Sequence, residues 1–257
     1  MSYFKTYLQT PQDETTLLID GDLYLYRACA AAEEEVDWGD DIWSLSTDLK
    51  EAKKIFQKSI DEFCDYLETG SFIICLSDKA NFRKDVDPEY KGGRKKVRKP
   101  VGYSEMIKWV QETYLWYREP LLEADDVMGI MGTAPGHNTI IVSDDKDMKT
   151  LPCQLYRPVS GELLTISERE ADFSFLTQTL MGDPTDGYSG CPKIGAVTAQ
   201  KILEKGATWN AVVAAYAKQN LNETYALTQA RLARILRYSD WDLETGQLKL
   251  WEPRTCV

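Results

Sequence analysis

Histidine and paired cysteines are scarce in this chain of 257 residues. His137 is the one histidine, so a Ser-His-Asp triad or a Cys-His dyad would have to use it, and a multi-histidine metal site is excluded. None of the six cysteines forms a C-x-x-C pair, which argues against zinc ligation, and we interpret them as buried thiols. Carboxylates and basic side chains therefore remain as the groups for demanding chemistry.

Long apolar runs are lacking as well. Stretches such as residues 72–76 are far too short to cross a bilayer. The first residues, MSYFKTYLQTPQDE, lack the apolar region of a signal peptide, so we expect a cytoplasmic protein with no membrane partner.

The charge is strongly segregated along the chain. The formal net charge is −11, from 41 acidic and 30 basic residues, which taken alone disfavours a nucleic-acid partner. Residues 79–99, however, hold nine basic and three acidic residues, and residues 193–237 hold seven and two. Local charge density decides whether a phosphate backbone can dock, so the two regions are either DNA contacts or solvated basic faces.

Three short apolar runs have the composition of buried strands. They cover residues 15–19, 72–76 and 139–142, and they alternate with helical patterns. Fully apolar strands between helices predict an α/β fold with a mostly parallel sheet. We expect helices at 23–35, 47–69, 103–114, 123–131, 174–181, 193–205, 209–218 and 227–238, a solvated acidic loop at 33–41 and a hairpin at 243–250.

Acidic residues follow each predicted strand. In parallel sheets the carboxyl ends of the strands meet at one edge, where ligands bind, so these carboxylates should converge. Each could instead be only a helix cap or a turn residue. Together they would repel unless divalent cations lay among them, and oxygen ligands without histidine favour two Mg²⁺ or Mn²⁺ ions for phosphoryl transfer. The candidates are Asp20 with Asp22; Asp78; Asp145 with Asp144 and Asp147; Glu123, Asp125 and Asp126; and Asp183 with Asp186.

The order of the motifs resembles the flap endonuclease and 5′→3′ exonuclease superfamily, most closely its branch in T-odd tailed bacteriophages. The resemblance runs from about residue 15 to residue 251. The matching text is Asp20-Gly-Asp22, Ser77-Asp78, Phe82-Arg83, Asp87-Pro-Glu-Tyr-Lys91 with Arg94, Glu123-Ala-Asp125-Asp126, Ser143-Asp-Asp145-Lys-Asp147, Gly182-Asp183-Pro-Thr-Asp186 and Gly190-Cys-Pro-Lys-Ile-Gly195.

The resemblance implies a fold with two regions. Residues 1–180 would form a PIN-like nuclease core, a central mostly parallel sheet flanked by helices, with a helical arch at about 79–103. Residues 181–257 would form a C-terminal helical part with a helix–three-turn–helix at 189–205, later helices and a hairpin, packed as one unit with the core.

The resemblance also implies roles for individual residues. Lys91 and Arg94 would grip the scissile phosphate, and Asp145 and Asp147 would complete the catalytic group. The helix–three-turn–helix would offer backbone N–H groups to duplex phosphates, with a bound potassium ion. One metal would bind Asp20, Asp78, Glu123 and Asp125 with Asp126 nearby; the second would bind Asp125, Asp145, Asp147 and Asp186 with Asp183. DNA contacts would come from Tyr26, Arg27, Arg83, Lys91, Arg94, Lys95, Lys96, Gly190, Lys193, Gly195 and Thr198.

Several positions leave two interpretations open. Lys193 stands where the family usually has glycine, so this position is expected to need no positive φ, and the potassium site is in question. Asp22 and Asp144 are extra carboxylates that either support the metal ligands or are simply solvated. Tyr26 either stacks on a base or packs in the core. Arg27 either contacts phosphate or forms a surface salt bridge.

The resemblance implies a magnesium-dependent 5′→3′ exonuclease of double-stranded DNA. Its associated activities would be cleavage of 5′ flaps and RNase H-like removal of RNA primers from RNA–DNA hybrids, in phage DNA replication and degradation beside phage replication proteins. Two alternatives stay open. An aspartate-nucleophile phosphatase fits Asp20 and Asp22 after a strand, and a non-catalytic DNA-binding module could share the fold.

Overall fold

The computed structural model describes residues 3–93 and 98–253. The predicted arch residues Arg94, Lys95 and Lys96 lie outside the described residues. The strands are β1 Gln12–Asp20, β2 Glu33–Asp37, β3 Trp43–Thr47, β4 Ser71–Cys75, β5 Trp116–Tyr117, β6 His137–Val142, β7 Gln154–Arg157, β8 Glu162–Thr165, β9 Trp241–Asp242 and β10 Gln247–Leu248. The helices are α1 Tyr3–Gln9, α2 Gly21–Ala31, α3 Leu49–Tyr66, α4 Arg83–Val86, α5 Tyr103–Thr113, α6 Ala124–Gly132, α7 Glu168–Met181, α8 Ala196–Leu203, α9 Trp209–Ala217 and α10 Glu223–Ala233.

A six-stranded sheet in the order β5-β4-β1-β6-β7-β8 forms the centre of the molecule. The strands β5, β4, β1, β6 and β7 run parallel, and β8 is antiparallel to β7. In register, Asp20 pairs with Cys75 and Ile19 pairs with Val142. The acids that follow β1, β4 and β6 are therefore brought to one edge, which confirms the predicted mostly parallel α/β sheet.

Helices cover both faces of the sheet because successive side chains of β1 point in opposite directions. Leu17 and Ile19 pack in one cluster with Phe56 of α3. Leu18 packs in a second cluster with Val127 of α6. All five side chains are fully buried. A third apolar cluster joins α7, α8, α9 and α10.

The acidic run at 33–41 forms a hairpin rather than the predicted loop. The predicted helix 23–35 stops at Ala31, and β2 and β3 pair antiparallel from Glu33 with Thr47 to Asp37 with Trp43. Gly39, Asp40 and Asp41 all have positive φ, as a tight connection between strands demands. Six acidic residues suggest a solvated loop, but they do not prevent strand pairing here, because nearly all side chains of β2 and β3 face water.

The remaining differences lie at edges and ends. The N-terminal helix α1 and the outer strands of the sheet, β5 at one side and β7 with β8 at the other, were not predicted, because short amphipathic elements have weak periodicity. In the predicted arch, the described residues contain only the one-turn helix α4 and turns before α5. The predicted closing hairpin is present as β9 and β10. No helix within residues 3–93 and 98–253 is long and apolar enough to span a membrane.

Candidate active site

The acids that follow the central strands surround a cleft of about 600 Å³ at the carboxyl edge of the sheet. The cleft is both acidic and basic, because Lys91, Arg98 and Lys99 lie on the same surface. Its lining is Asp20, Asp22, Leu23, Tyr26, Ser77, Asp78, Lys91, Arg98, Lys99, Tyr103, Glu123, Ala124, Asp125, Asp145 and Thr185.

Asp20 ends β1 and caps α2. One carboxylate oxygen accepts a hydrogen bond from the backbone N–H of Leu23 at 3.0 Å, and the other accepts one from the Ser143 hydroxyl at 2.8 Å. Burial, together with the charges of Asp22 and Asp145, raises the pKa of Asp20 to about 7. This carboxylate is therefore held in place by two neutral donors, a backbone N–H and a serine hydroxyl.

The start of α6 places further carboxylates opposite Asp20. Glu123 is the N-cap of α6, and Asp125 lies in its first turn. Burial and the charges of Asp20 and Asp145 raise the pKa of Asp125 well above its ordinary value. Asp78 differs, because backbone N–H donors, Leu121 first among them, lower its pKa.

Lys91 lies inside this group of carboxylates. Its ammonium nitrogen is 2.5 Å from Oε1 of Glu123 and 3.6 Å from Oδ2 of Asp186. Burial alone would raise the pKa of Glu123, but Arg83 and Lys91 hold it at about 2. The hydroxyl of Tyr90 lies 3.1 Å from Glu123 and 3.2 Å from Asp186. The segment predicted as an arch thus reaches the acidic cluster through two adjacent side chains.

Asp126 and Arg83 do not belong to the cleft, contrary to the sequence prediction. Asp126 is fully buried, and each of its oxygens accepts one hydrogen bond from Arg83, at 2.7 and 2.8 Å, and one from a backbone N–H. The four acceptor positions of this carboxylate are filled, which leaves none for a metal ion. Arg83 is 2% exposed and donates also to the carbonyls of Leu232 and Arg234, so it cannot reach DNA.

The acids after β6 form a second part of the site. Asp145 caps the 3-10 turn Lys146–Thr150 by accepting from the N–H of Asp147 at 2.8 Å. Burial and the charge of Asp145 raise the pKa of Asp147 to about 6. Asp183 accepts a hydrogen bond from the ammonium of Lys146 at 3.0 Å. Asp186 lies beside Glu123, because both carboxylates contact the ammonium of Lys91.

Three residues with open interpretations are now located. Tyr26 lines the cleft and is 42% exposed, which rules out a core tyrosine. Arg27 forms a salt bridge with Asp144 at 2.5 Å, and Asp144 also accepts from the N–H of Val159. Asp144 is therefore engaged by the protein away from the cleft.

The turn before α8 keeps a left-handed residue at Lys193. Its φ is +64°, so the expectation that this position no longer needs a positive φ is wrong. Gly190 also has φ +64°, and a Cβ there would lie 2.3 Å from the backbone nitrogen of Gly182. Gly195 is the N-cap of α8, and Thr198 is exposed in its first turns. Lys193, Gly195 and Thr198 are exposed around the positive end of this helix. Gly190 is buried and its N–H donates to Gln229, so the predicted DNA contact of Gly190 is not supported by its position.

His137 is excluded from the site by its position. It begins β6, opposite Gln12 at the start of β1, at the end of the sheet away from the acids. Its ring lies 4.7 Å from that of Tyr7.

The donor set suits hard divalent cations rather than zinc. The charge of Asp145 raises the cost of ionising both Asp20 and Asp125, and a divalent cation between these carboxylates would relieve it. Among the described residues, no three acidic, histidine or cysteine side chains stand close enough together, as they are placed, to hold a metal ion. The type of ligand therefore fits a divalent ion, while Lys91 provides positive charge among the carboxylates.

Sequence reasoning missed several side chains that hold the acids in place. Ser143 donates to Asp20, the hydroxyl of Ser77 accepts from the N–H of Ala124 at 2.9 Å, and the hydroxyl of Tyr103 lies 3.2 Å from Asp22. The two serines could have been found, because each comes directly between a strand and its acid. Tyr103 gave no such signal, because its contact spans 81 residues.

Comparisons with known proteins identify the family and the fold. The family described as "5′-3′ exonuclease, N-terminal resolvase-like domain" matches residues 15–171. The exodeoxyribonuclease of Enterobacteria phage T3 is 32% identical over 95% of this chain and 94% of its own length. The exonuclease of Escherichia phage T7 is 32% identical over 94% of both. The T5 5′-exonuclease with divalent metal ions (zinc) bound shares the fold, with a TM-score of 0.65 and 15% identity over 86% of this chain and 89% of that one. The chain therefore belongs to the 5′-3′ exonuclease family of enzymes.

Proposed function

We propose that this chain is a divalent-metal-dependent 5′→3′ exonuclease acting on double-stranded DNA ends. We include 5′ flaps and the RNA of RNA–DNA hybrids among its substrates, and phage DNA replication and degradation as its setting. The observation that carries the proposal is the cleft at the carboxyl edge of the sheet, where buried carboxylates face Lys91, Arg98 and Lys99. Hydrolysis of a phosphodiester uses both acidic and basic side chains, since the carboxylates hold metal ions and the cations attract the phosphate.

Two Mg²⁺ ions, with Mn²⁺ as a substitute, would occupy the two parts of the acidic cluster. When bound, such ions activate water and stabilise the leaving oxygen of a phosphodiester. The raised pKa values of Asp20, Asp125 and Asp147 support this assignment, because each carboxylate lacks enough compensating positive charge. The proposed ligands are Asp20, Asp78, Glu123 and Asp125 for one ion, and Asp125, Asp145, Asp147, Asp183 and Asp186 for the other.

Lys91 is proposed to bind the scissile phosphate, together with Arg94. Its ammonium already lies among the carboxylates, 2.5 Å from Glu123, so it is close to where the reacting phosphate would have to sit. Replacing one carboxylate contact by a phosphate oxygen would keep the ammonium paired throughout.

Duplex binding is proposed for the turn before α8. The N–H groups at the start of this helix, near Gly195 and Thr198, favour phosphate, and exposed Lys193 adds a positive charge. The preserved positive φ at Gly190 and Lys193 supports a potassium ion in this turn. Tyr26, exposed at the cleft, is proposed to stack on an unpaired base.

The two regions are proposed to act as one body, residues 1–180 as the nuclease core and residues 181–257 as the DNA-binding part. The third apolar cluster supports this arrangement, because Tyr90 from the predicted arch packs there with Phe175, Tyr216 and Ala230. Substrate bound at α8 would then be held at a fixed distance from the cleft.

The two alternative functions explain less of the site. A phosphatase that uses Asp20 as a nucleophile gives no role to Lys91 or to the turn before α8. A binding module gives no reason for buried carboxylates that repel DNA.

Labelled duplexes test the proposal. A duplex carrying a label at one 5′ end, or in a second sample at the opposite 3′ end, is incubated with Mg²⁺ or with EDTA. We expect short 5′-labelled products and shortening 3′-labelled strands with Mg²⁺ alone. Asp145→Asn should reduce cleavage by several orders of magnitude and keep duplex binding. Intact strands in both conditions would reject the proposal, and tighter binding by Asp145→Asn without any wild-type cutting would favour a binding module.

A further inference from the structure

Asp22 is a cleft carboxylate with no place among the proposed metal ligands. It lies in the first turn of α2, two residues after Asp20, and is half-buried. One oxygen accepts a hydrogen bond from the backbone N–H of Ser77 at 3.3 Å, and the other accepts one from the Tyr103 hydroxyl at 3.2 Å. Three elements that are distant in sequence, α2, the end of β4 and the start of α5, therefore meet at this side chain.

The contact with Ser77 leads to the acids of α6. The hydroxyl oxygen of Ser77 accepts a hydrogen bond from the N–H of Ala124 at 2.9 Å. Ala124 lies between Glu123 and Asp125. Asp22 thus holds Ser77, whose hydroxyl accepts a hydrogen bond from a backbone N–H in the first turn of α6.

The contact with Tyr103 leads to the basic segment. Residues 98–103, here called the returning limb, lead into α5, and Arg98 and Lys99 on this limb line the cleft. Tyr103 is 5% exposed, so its ring is fixed, and the ammonium of Lys99 lies 4.3 Å from the ring centroid. Outside this contact, the limb is held by Glu33, which accepts hydrogen bonds from Arg98 at 2.7 Å and from the backbone N–H of Val101 at 2.6 Å. The hydroxyl of Thr47 also donates to the carbonyl of Val101.

We propose that Asp22 is a positioning residue that, through Tyr103, holds the returning limb and its two cations over the strand-end carboxylates. This inference rests on the proposed nuclease function. Asp22 acts as a hydrogen-bond acceptor and not as a metal ligand. Without this hydrogen bond the limb keeps its contacts with Glu33 and Thr47 but is no longer held at the cleft, so phosphate binding by Arg98 and Lys99 weakens more than the chemistry does.

Four variants test the tether. Tyr103→Phe removes the donor, Asp22→Ala removes the acceptor, and Asp22→Asn keeps both contacts, because its amide oxygen can accept from Ser77 while its NH₂ donates to the Tyr103 oxygen. Tyr114→Phe is the matched control, since it removes a hydroxyl that bonds Gln57 at the other end of α5. Kd for duplex DNA with a 5′ overhang is measured without divalent ions, kcat with Mg²⁺, and Mn²⁺ affinity by electron paramagnetic resonance.

We expect Tyr103→Phe and Asp22→Ala each to weaken DNA binding about 5- to 10-fold. The double variant should be no weaker than Asp22→Ala alone, because one contact has been removed twice. Asp22→Asn and Tyr114→Phe should bind DNA within about twofold of wild type. Mn²⁺ affinity should stay unchanged in Tyr103→Phe and Tyr114→Phe, which keep the charge of Asp22 beside Asp20. For Tyr103→Phe, kcat should stay within about threefold of wild type.

Two outcomes overturn the inference. If Asp22→Asn binds DNA as poorly as Asp22→Ala and both lose Mn²⁺ affinity, the charge of Asp22 acts on the metal. If Tyr103→Phe binds DNA as wild type does, the limb is not tethered there. A wild-type protein that cuts no DNA would instead reject the proposed function, and the DNA and Mn²⁺ binding measurements would still test the tether because they need no turnover.

Discussion

Adjacent aspartates in the first turn of α6 have opposite energetic roles. Asp125 faces Asp20 and Asp145, and burial with these two charges raises its pKa. Asp126 forms a buried ion pair with Arg83 and accepts two backbone hydrogen bonds. Although the two are neighbours in the helix, Asp125 is therefore a carboxylate that a metal ion could bind, whereas Asp126 is already paired with Arg83.

This difference predicts opposite effects of the same substitution. Asp125→Asn removes a repelled charge, so we expect it to raise the free energy of unfolding in EDTA by about 1–3 kcal/mol while abolishing cleavage with Mg²⁺. Asp126→Asn is the matched control and should lower it by about 3–5 kcal/mol, because the buried charge of Arg83 loses its two-oxygen partner and keeps only the longer contact with Glu123 at 3.3 Å. Urea unfolding in EDTA measures both. A destabilised Asp125→Asn protein would contradict the prediction.

The turn before α8 shows how an element depends on close backbone contact. Gly182 and Gly190 lie backbone to backbone, and a Cβ on either residue would come within 2.5 Å of the other's chain. Both also have positive φ, which L-residues adopt at a cost of about 1–2 kcal/mol. Glycine is therefore required at these two positions by space as well as by conformation.

Gly190→Ala should consequently lower the free energy of unfolding by more than about 2 kcal/mol. Gly195→Ala provides the comparison, because φ at Gly195 is −95° and nothing lies within 4 Å of the added Cβ. Its loss should stay within about 1 kcal/mol. Thermal unfolding of both variants measures the difference, and equal losses would show that the contact with Gly182 does not constrain the turn.

At the scale of the whole molecule, the buried acids make stability depend on pH and on divalent ions. The pKa of Asp20 is raised to about 7 and that of Asp147 to about 6. Between about pH 4 and pH 7 the folded state holds more protons than the unfolded state, so unfolding free energy falls as pH rises. Glu123 has the opposite sign, since its pKa is lowered to about 2, and its contribution is lost below about pH 4.5.

We therefore expect the metal-free protein to be more stable near pH 5 than near pH 8. Bound Mg²⁺ should reverse this order, because it stabilises the ionised carboxylates. Melting temperatures at both pH values, in EDTA and with Mg²⁺, measure the effect. Asp20→Asn should reduce the pH dependence in EDTA. Equal melting temperatures of the EDTA samples would contradict the assigned carboxylate environment.

The sequence by itself determined the three central strands of the sheet and the edge at which their acids gather. Short, fully apolar runs between helices indicate buried parallel strands. An acid after each such run must then lie at the carboxyl edge of the sheet, as Asp20, Asp78 and Asp145 do. This inference needs local pattern and strand direction alone. The elements missed, such as the hairpin β2 and β3, are those whose polar composition resembles that of loops.

The tertiary structure alone decided the partners of the charged side chains. Arg83 lies in a basic run typical of a DNA contact, yet it is buried against Asp126. Lys91, eight residues later in the same run, reaches the acidic cluster instead. A charge pattern shows how many charged side chains a segment carries. Which of them is buried, and which partner offsets the cost of its desolvation, depends on contacts between residues far apart in the chain.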